Sequence, residues 1–489
     1  MVGCVFHGRN NAPNMHACQP PPLSLIEYLF SLPSSIDKEV SNAYSLALKL
    51  FFNSHLAHSS MDKSRKIDSP TLGEASHLWW KIGILSFGGP AAQIALLHRE
   101  VVEVRNWLTE SQFLNALSFC MLLPGPEAMQ LATYAGWRLH GTLGGLIAGL
   151  LFILPGAVII MALAAAYAVY GDVPLFALLF YGVKAAVLVI VMQALLRIAQ
   201  KALSCPIHWL IASAAFVCIF FLSIPFPIIV LASAMFGWLI LGKSKTQQPT
   251  ELVDLSAKKT VQTVFIWMMI WLTPLAGLAL VGTPTLLIEI GQFFSMLAIV
   301  TFGGAYAVLA YLAQDAVTAF GWLSAPEMVD ALGLAETTPG PLILVTQFVG
   351  FLAGFKEGGL WLGLSAAMIV LWVTFVPCFL WIFTGAPYIE RISNQPRIAG
   401  ALEAITAAIV GVILNLSLWF ALHVFFAKIE VRLIGPLTLW QPELTSFEGI
   451  ALSLFALSAG LAFYLKWGII RILFSSAVIG AGLQLFLGT

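Results

Sequence analysis

Beyond residue 70 the chain alternates long apolar stretches with short polar ones. Runs of about 20 mostly apolar residues, the length that crosses a bilayer, cover 75–97, 141–170, 173–198, 207–224, 225–241, 263–282, 286–313, 358–384, 400–427, 447–465 and 468–487. Two further apolar stretches, 113–139 and 331–355, are each interrupted by Pro-Gly-Pro. The pattern predicts an all-α, polytopic integral membrane protein with roughly ten to thirteen crossings.

Composition agrees. Hydrophobic residues make up 59% of the 489 and charged residues 10%, with a mean hydropathy of +0.90. A soluble domain carries about 25% charged residues, so the solvent here is mostly lipid and the place is a cell membrane, crossed many times. Formal net charge is zero, which leaves no basic excess for nucleic acid and no acidic arm for a protein partner. The six cysteines form no CxxC. No disulfide framework, zinc site, other metal or cofactor is expected. Residues 1–70 differ from the rest: they hold Pro20, Pro21 and Pro22, Arg9 as the only arginine before Arg65, and no long apolar run. They read as an N-terminal extension, disordered and dispensable for transport, with Met61 as a second candidate start.

The remainder contains an internal repeat. Phe87-Gly88-Gly89 recurs as Phe302-Gly303-Gly304, Trp107 as Trp322, and Pro124-Gly125-Pro126 as Pro339-Gly340-Pro341, all at an offset of 215. An ungapped alignment of 87–126 with 302–341 holds 14 identities in 40 positions. Downstream, Gly145 and Gly149 match Gly359 and Gly363 at 214, while Pro155 matches Pro377 and Gln193 matches Asn415 at 222. The domains expected are repeat 1 over 71–241, a polar linker over 242–262, and repeat 2 over 263–489, which includes one unpaired helix, 263–282. Seven crossings between loop 98–112 and loop 314–330 make the second half inverted. If the Pro-Gly-Pro segments are re-entrant hairpins, the halves instead run parallel. Arg99 and Arg105 in the first loop, against no Lys or Arg in the second, favour inversion.

Paired halves with broken helices are a transporter signature. Proline lacks an amide hydrogen and glycine permits unusual backbone. Broken backbone at bilayer depth is tolerated only when buried in protein or lining a wet cavity. The half-helices after Pro126 and Pro341 would then present unpaired amide hydrogens and a positive dipole end to an anion; a structural kink is the plainer alternative. Gly88, Gly89 and Pro90, like Gly303 and Gly304, mark either a close approach to substrate or tight helix packing. Gly141, Gly145 and Gly149, and Gly350, Gly354 and Gly358, read as packing faces. Lys184, within 173–198, needs a partner or a role in the membrane, and Glu403 is the expected partner. Glu127, Glu336 and Glu403 are the candidates for proton coupling; for Glu127 helix capping is the alternative. Arg99, Arg105, Arg138 and His140 sit near predicted helix ends and read as headgroup anchors. Gly237 to Ser244 fits a P-loop pattern literally, but it ends an apolar helix where a strand and loop are required.

Phe87-Gly88-Gly89-Pro90, Gln93, Trp107, Leu123-Pro124-Gly125-Pro126, Gln130 and Gly144-Gly145, with the second Phe302-Gly303-Gly304, Trp322 and Pro339-Gly340-Pro341, resemble the chromate ion transporter family in its two-domain form. The resemblance covers about 75–489. It implies a secondary active transporter, not an enzyme, that exports chromate, uses the proton-motive force and admits sulfate as another tetrahedral dianion. On this basis the substrate-binding set is Gly88, Gly89, Pro90, Gln93, Pro124, Gly125, Pro126, Gln130, Lys184, Gly303, Gly304, Pro339, Gly340 and Pro341. The expected partners are a small inorganic oxyanion, the lipid bilayer and, as one arrangement, a second copy in a homodimer; nucleic acid is not among them. Ala305 and Val308 stand where the first half has Pro90 and Gln93, so the halves would touch substrate unequally. The competing class is an intramembrane enzyme or lipid-handling protein using re-entrant segments. No HExxH or GxSxG supports it.

Overall fold

The computed structural model describes residues 70–489 except 172, 245–256, 283, 303–304, 390–394 and 488–489. The N-terminal extension, most of the linker, and Gly303 and Gly304 therefore lie outside the described residues. Fifteen α-helices occupy the rest: α1 (Leu72–Leu85), α2 (Gly89–His98), α3 (Glu110–Leu122), α4 (Glu127–Tyr170), α5 (Pro174–Ala202), α6 (Pro206–Phe220), α7 (Phe226–Leu239), α8 (Ala257–Val281), α9 (Thr285–Val300), α10 (Ala305–Gln314), α11 (Ala325–Thr337), α12 (Val345–Gly385), α13 (Pro396–Phe425), α14 (Gly449–Ala459) and α15 (Ile469–Leu487). Six described helical segments, within α4, α5, α8, α12, α13 and α15, are long and apolar enough to cross a membrane.

The spans read as 75–97 and 286–313 are not continuous. Gly88 and Gly89, with φ of 86° and 78°, separate α1 from α2, and α9 ends at Val300 before α10 begins. The helices α4 and α12 each bend back once. His140 and Gly141 (φ −136°, ψ 27°, then φ 62°, ψ −156°) break α4, and Gly358 and Gly359 (φ −145°, ψ 21°, then φ 72°, ψ −162°) break α12 in nearly the same way. The arms fold closely enough that a side chain on Gly136 would strike Gly144 and one on Gly354 would strike Leu362. These bends align Gly141 with Gly359 at an offset of 218, which replaces the 214 inferred from sequence. Gly141 and Gly358 therefore bend their helices and do not extend packing stripes. Gly145 and Gly149 do pack closely, against Phe383 and Phe379.

Around these hairpins the order of packing crosses between halves. The helix α1 lies on α4, α9 lies on α12, and α4 lies on α12. The helix α5 packs against α14 and α15 of the second half, while α13 packs against α6 and α7 of the first. Glycines make these contacts close: Gly182 of α5 abuts Ser476 of α15, and Gly411 of α13 abuts Ala212 of α6. The unpaired helix begins at Ala257 and rests on α12 and α9, with Trp267 stacked 5.8 Å from Phe379.

The all-α reading misses one feature, an antiparallel β-hairpin of β1 (Ile429–Ile434) and β2 (Leu437–Pro442). Its signal was present in the alternation of Glu430 and Arg432 with apolar residues and in the turn at Gly435 (φ 60°). The P-loop-like segment closes α7 and a 3-10 turn, Leu241–Ser244, so no strand precedes it.

Candidate substrate site

Both Pro-Gly-Pro segments interrupt helices inside the protein. The helix α3 ends at Leu122 and α4 starts at Glu127. In the second half, α11 ends at Thr337, and a 3-10 turn, Leu342–Leu344, leads into α12. Gly125 (φ 120°) and Gly340 (φ 92°) adopt backbone that a side chain resists. Pro124, Gly125, Pro126, Pro339, Gly340 and Pro341 are all buried.

Each turn is tied to the opposite half. Gly125 N donates to Thr301 O (2.8 Å), and Gly340 N donates to Ser86 O (2.9 Å). Ser86 and Thr301 immediately precede the two Phe-Gly-Gly segments. The second neighbour is also exchanged: a side chain on Gly125 would meet Cys378 Sγ at 2.8 Å, and one on Gly340 would meet Gly156 Cα at 3.3 Å. Gly156 and Cys378 follow Pro155 and Pro377, the prolines inside α4 and α12. Gly125 and Gly340 have thus used their own amides. The donors left without an intrahelical acceptor are the first amides after each turn, residues 127–129 and 342–343. Gln130 N closes the first helical bond on Pro126 O, and Leu344 N closes the first turn on Pro341 O.

Three glutamines brace this core. Gln93 Nε2 donates to Gly340 O (2.7 Å) and Ser86 O (3.2 Å). Gln130 Nε2 donates to Pro124 O (2.7 Å), and Gln347 Nε2 donates to Ala157 O (3.1 Å). The Oε1 atoms of Gln130 and Gln347 are buried with no hydrogen-bond partner among the described residues. Sequence reasoning missed Gln347 because the 3-10 turn shifts it two residues off the 215 register. A side chain on Gly89 would meet nothing within 4 Å, so its positive φ, not a close neighbour, demands glycine there, whereas one on Gly88 would also meet Ala92 Cβ at 3.3 Å. Pro90 sits in the first turn of α2.

The ionisable residues fall into separate groups. Lys184 Nζ of α5 lies 3.5 Å from Asp330 Oδ1 of α11, and Tyr167 Oη of α4 donates to Asp330 Oδ2 (2.8 Å). Glu403, the expected partner of Lys184, instead lies 3.1 Å from His208 Nε2 of α6. That pairing follows from the exchange of helices, which turns α13 toward α6 and α7. Tyr306 Oη donates to Glu336 Oε1 (2.9 Å), and Arg197 of α5 acts electrostatically on both. The seam between α5 and α11 is therefore apolar at Gly333, Val183 and Val187, with the Lys184–Asp330 ion pair beside it. Asp330 and Gly333 sit on that seam, and Asp330 is roughly 10 Å from the end of α11, at 1.5 Å per residue. Lys184 thus lies about two turns from the second break. Glu127 opens α4 with no side-chain partner among the described residues.

The loop arginines do more than anchor. Arg105, Lys81 (3.2 Å) and Arg99 (3.4 Å) all reach Glu100. Burial pushes the Glu100 carboxyl up, but the hydrogen bonds from Arg105 and Lys81 outweigh it and hold the group below its ordinary range. His140 Nε2 lies 2.8 Å from Pro70 O at the bend of α4.

Apolar helices of spanning length, closed around interrupted helices whose breaks are buried inside the protein, define a multi-pass membrane protein. The chromate transporter family model matches residues 74–238 and 288–481, and the chain belongs to that family. It is similar to the probable chromate transport protein of Synechococcus elongatus, 32% identical over 70% of this chain and 83% of the relative. It is also similar to the chromate transport proteins of Pseudomonas aeruginosa, at 30% over 79% and 85% of the two chains, and of Cupriavidus metallidurans, at 28% over 70% and 81%. No solved structure matches the chain significantly.

Proposed function

We propose that the protein is a secondary active transporter that exports chromate, driven by the proton-motive force, with sulfate as a competing dianion. The observation that carries this reading is the reciprocal seating of the two buried turns. Each turn is hydrogen-bonded to Ser86 or Thr301 of the other half, so substrate at the helix starts would be held by both halves at once. Family membership supplies the oxyanion class.

Magnitudes decide which groups the site needs. One helix N-terminus favours an anion by about 0.3–2 kcal/mol, so two ends offer at most about 4. Moving a dianion into the membrane interior costs more than that. A full positive charge is required, and α5 supplies two candidates: Lys184, which meets Asp330 of α11, and Arg197, which acts electrostatically on Glu336. Glu127 and Glu336, beside the two breaks, are the carboxylates placed to take up a proton as the anion moves.

The test is chromate uptake into inverted membrane vesicles. Uptake is expected, faster under an imposed proton gradient and slowed by sulfate. Absence of uptake under every gradient would overturn the reading. Uptake that ignores the gradient would remove the proton coupling.

A further inference from the structure

We propose that Asp330 is the resident counter-ion of Lys184 and that the substrate anion displaces it there in each cycle, which makes Asp330 a positioning residue for transport. This deepens the reading that Lys184 meets the anion, and rests on it.

The pair is built for exchange. Asp330 is 5% exposed, so its charge has to be compensated inside the protein. Tyr167 supplies that compensation on one oxygen, with a 2.8 Å hydrogen bond from a different helix. The other oxygen, Oδ1, has no close hydrogen-bond donor among the described residues and faces Lys184 at 3.5 Å, beyond the usual hydrogen-bond length. Lys184 is therefore held across a long contact, while Asp330 stays anchored by Tyr167 if the lysine turns away. The lysine side chain keeps 26% exposure, which leaves its ammonium room to move on a flexible stem. A pair serving structure only would gain from shortening the contact to the roughly 2.7–2.9 Å of a charge-assisted hydrogen bond.

The neighbouring charges are occupied elsewhere. Glu327, one turn away on α11, is taken by Lys356 at 2.6 Å, and Glu336 accepts from Tyr306. Asp330 is thus the carboxylate that faces Lys184. The pair has no symmetry-related counterpart, since Asn115 of the first half and Thr406 of the second stand at the matched positions. An anion arriving at Lys184 would release α11 from α5 on one side of the seam, tying substrate binding to the packing of α11.

Asp330→Asn tests this, because it keeps the shape and the Tyr167 contact while removing the competing charge. Chromate uptake should then show a KM about tenfold lower with a kcat at least about tenfold lower, the split expected when a competitor for the cation is lost. Unchanged constants, or a lower kcat with KM unchanged, would overturn the counter-ion role. Lys184→Ala separates the two claims: if it transports like wild type, the reading of Lys184 itself fails. If it is inactive while Asp330→Asn behaves as wild type, only the counter-ion role fails. Should Asp330→Asn not reach the membrane, the double variant Lys184→Asp with Asp330→Lys decides. The swap should restore membrane levels without transport, and wild-type transport in it would show a purely structural pair.

Discussion

The two hairpins that carry the Pro-Gly-Pro turns, α2–α3 and α10–α11, share a sequence pattern yet sit differently in the protein. Eight residues of α11 are buried, among them Asp330, Gly333 and Glu336, but only four of α3: Phe113, Ala116, Phe119 and Cys120. In α10 residues 308–313 are all buried, whereas in α2 only Gln93 and Leu97 are. The helix α11 rests on α5, α12 and α15, while the main contact of α3 is with α4. Local structure does not explain this. Thr109 with Gln112 and Ser324 with Glu327 form capping boxes at the same relative positions, and Trp107 and Trp322 pack against Trp79 and Phe294. The difference lies on the outward face. Asp330, Gly333 and Glu336 supply two charges and a gap that Val183 fills, while Asn115, Ser118 and Met121 occupy the corresponding places. One turn geometry is thus compatible with a docked and an undocked hairpin, and side-chain chemistry on one helix face sets which is held.

The largest effect is expected where the halves are most alike. Gly125→Ala and Gly340→Ala each force a side chain into positive-φ backbone, at about 1–3 kcal/mol, and into a close neighbour across the half boundary. Both should lower chromate uptake by at least about 100-fold, since small displacements of a binding constellation are that costly. If only one is affected, the two turns do not share the substrate. Next come the carboxylates. Glu127→Gln and Glu336→Gln should each cut gradient-driven uptake by about 100-fold, the lower end of the range for a lost proton-transfer group, while chromate–chromate exchange persists. Equal loss of both activities would place the residue in binding and not in coupling. A third measurement needs no variant. Backbone hydrogen exchange should run at least about tenfold faster in 110–122 than in 325–337, because exposed and poorly packed helices open more readily. Saturating chromate should narrow that gap if α11 is released on binding, and a gap that chromate leaves untouched would argue for two static hairpins.

Much of this was legible in the sequence, and what was not has a physical cause. Gly125, Gly340 and their prolines act on their own backbone, so the breaks could be read locally. The same holds for the capping residues and for the bilayer-length apolar runs. Lys184 announced itself by the cost of a charge in lipid. Its partner did not, because Asp330 is 146 residues away and pairs through an exchange of helices between halves. Symmetry reasoning brought Glu403 toward Lys184 by setting matched helices of the two halves against each other across a pseudo-two-fold axis. Instead α13 faces α6 and meets His208. Gln347 was hidden for a related reason, the 3-10 turn before α12 moving it out of register with Gln130.

The smallest effect should separate the hairpins most finely. Losing an N-cap hydroxyl costs about 1 kcal/mol, and Thr109→Ala and Ser324→Ala remove the same interaction from the two halves. In the second half Glu327 is also gripped by Lys356 at 2.6 Å, so the start of α11 keeps a second tether when the serine is lost. In the first half Gln112 carries no charge and has no such clamp. A docked helix must also unfold with the body it rests on, whereas a helix packed mainly on α4 can fray alone. Ser324→Ala should therefore lower the midpoint of cooperative thermal unfolding in detergent, by about 1–2 °C for a chain of this size. Thr109→Ala should leave that midpoint in place and instead speed hydrogen exchange in 110–122. Equal shifts of the midpoint in both variants would mean that α3 belongs to the cooperative body as fully as α11 does, and the contrast in burial would then have no energetic counterpart.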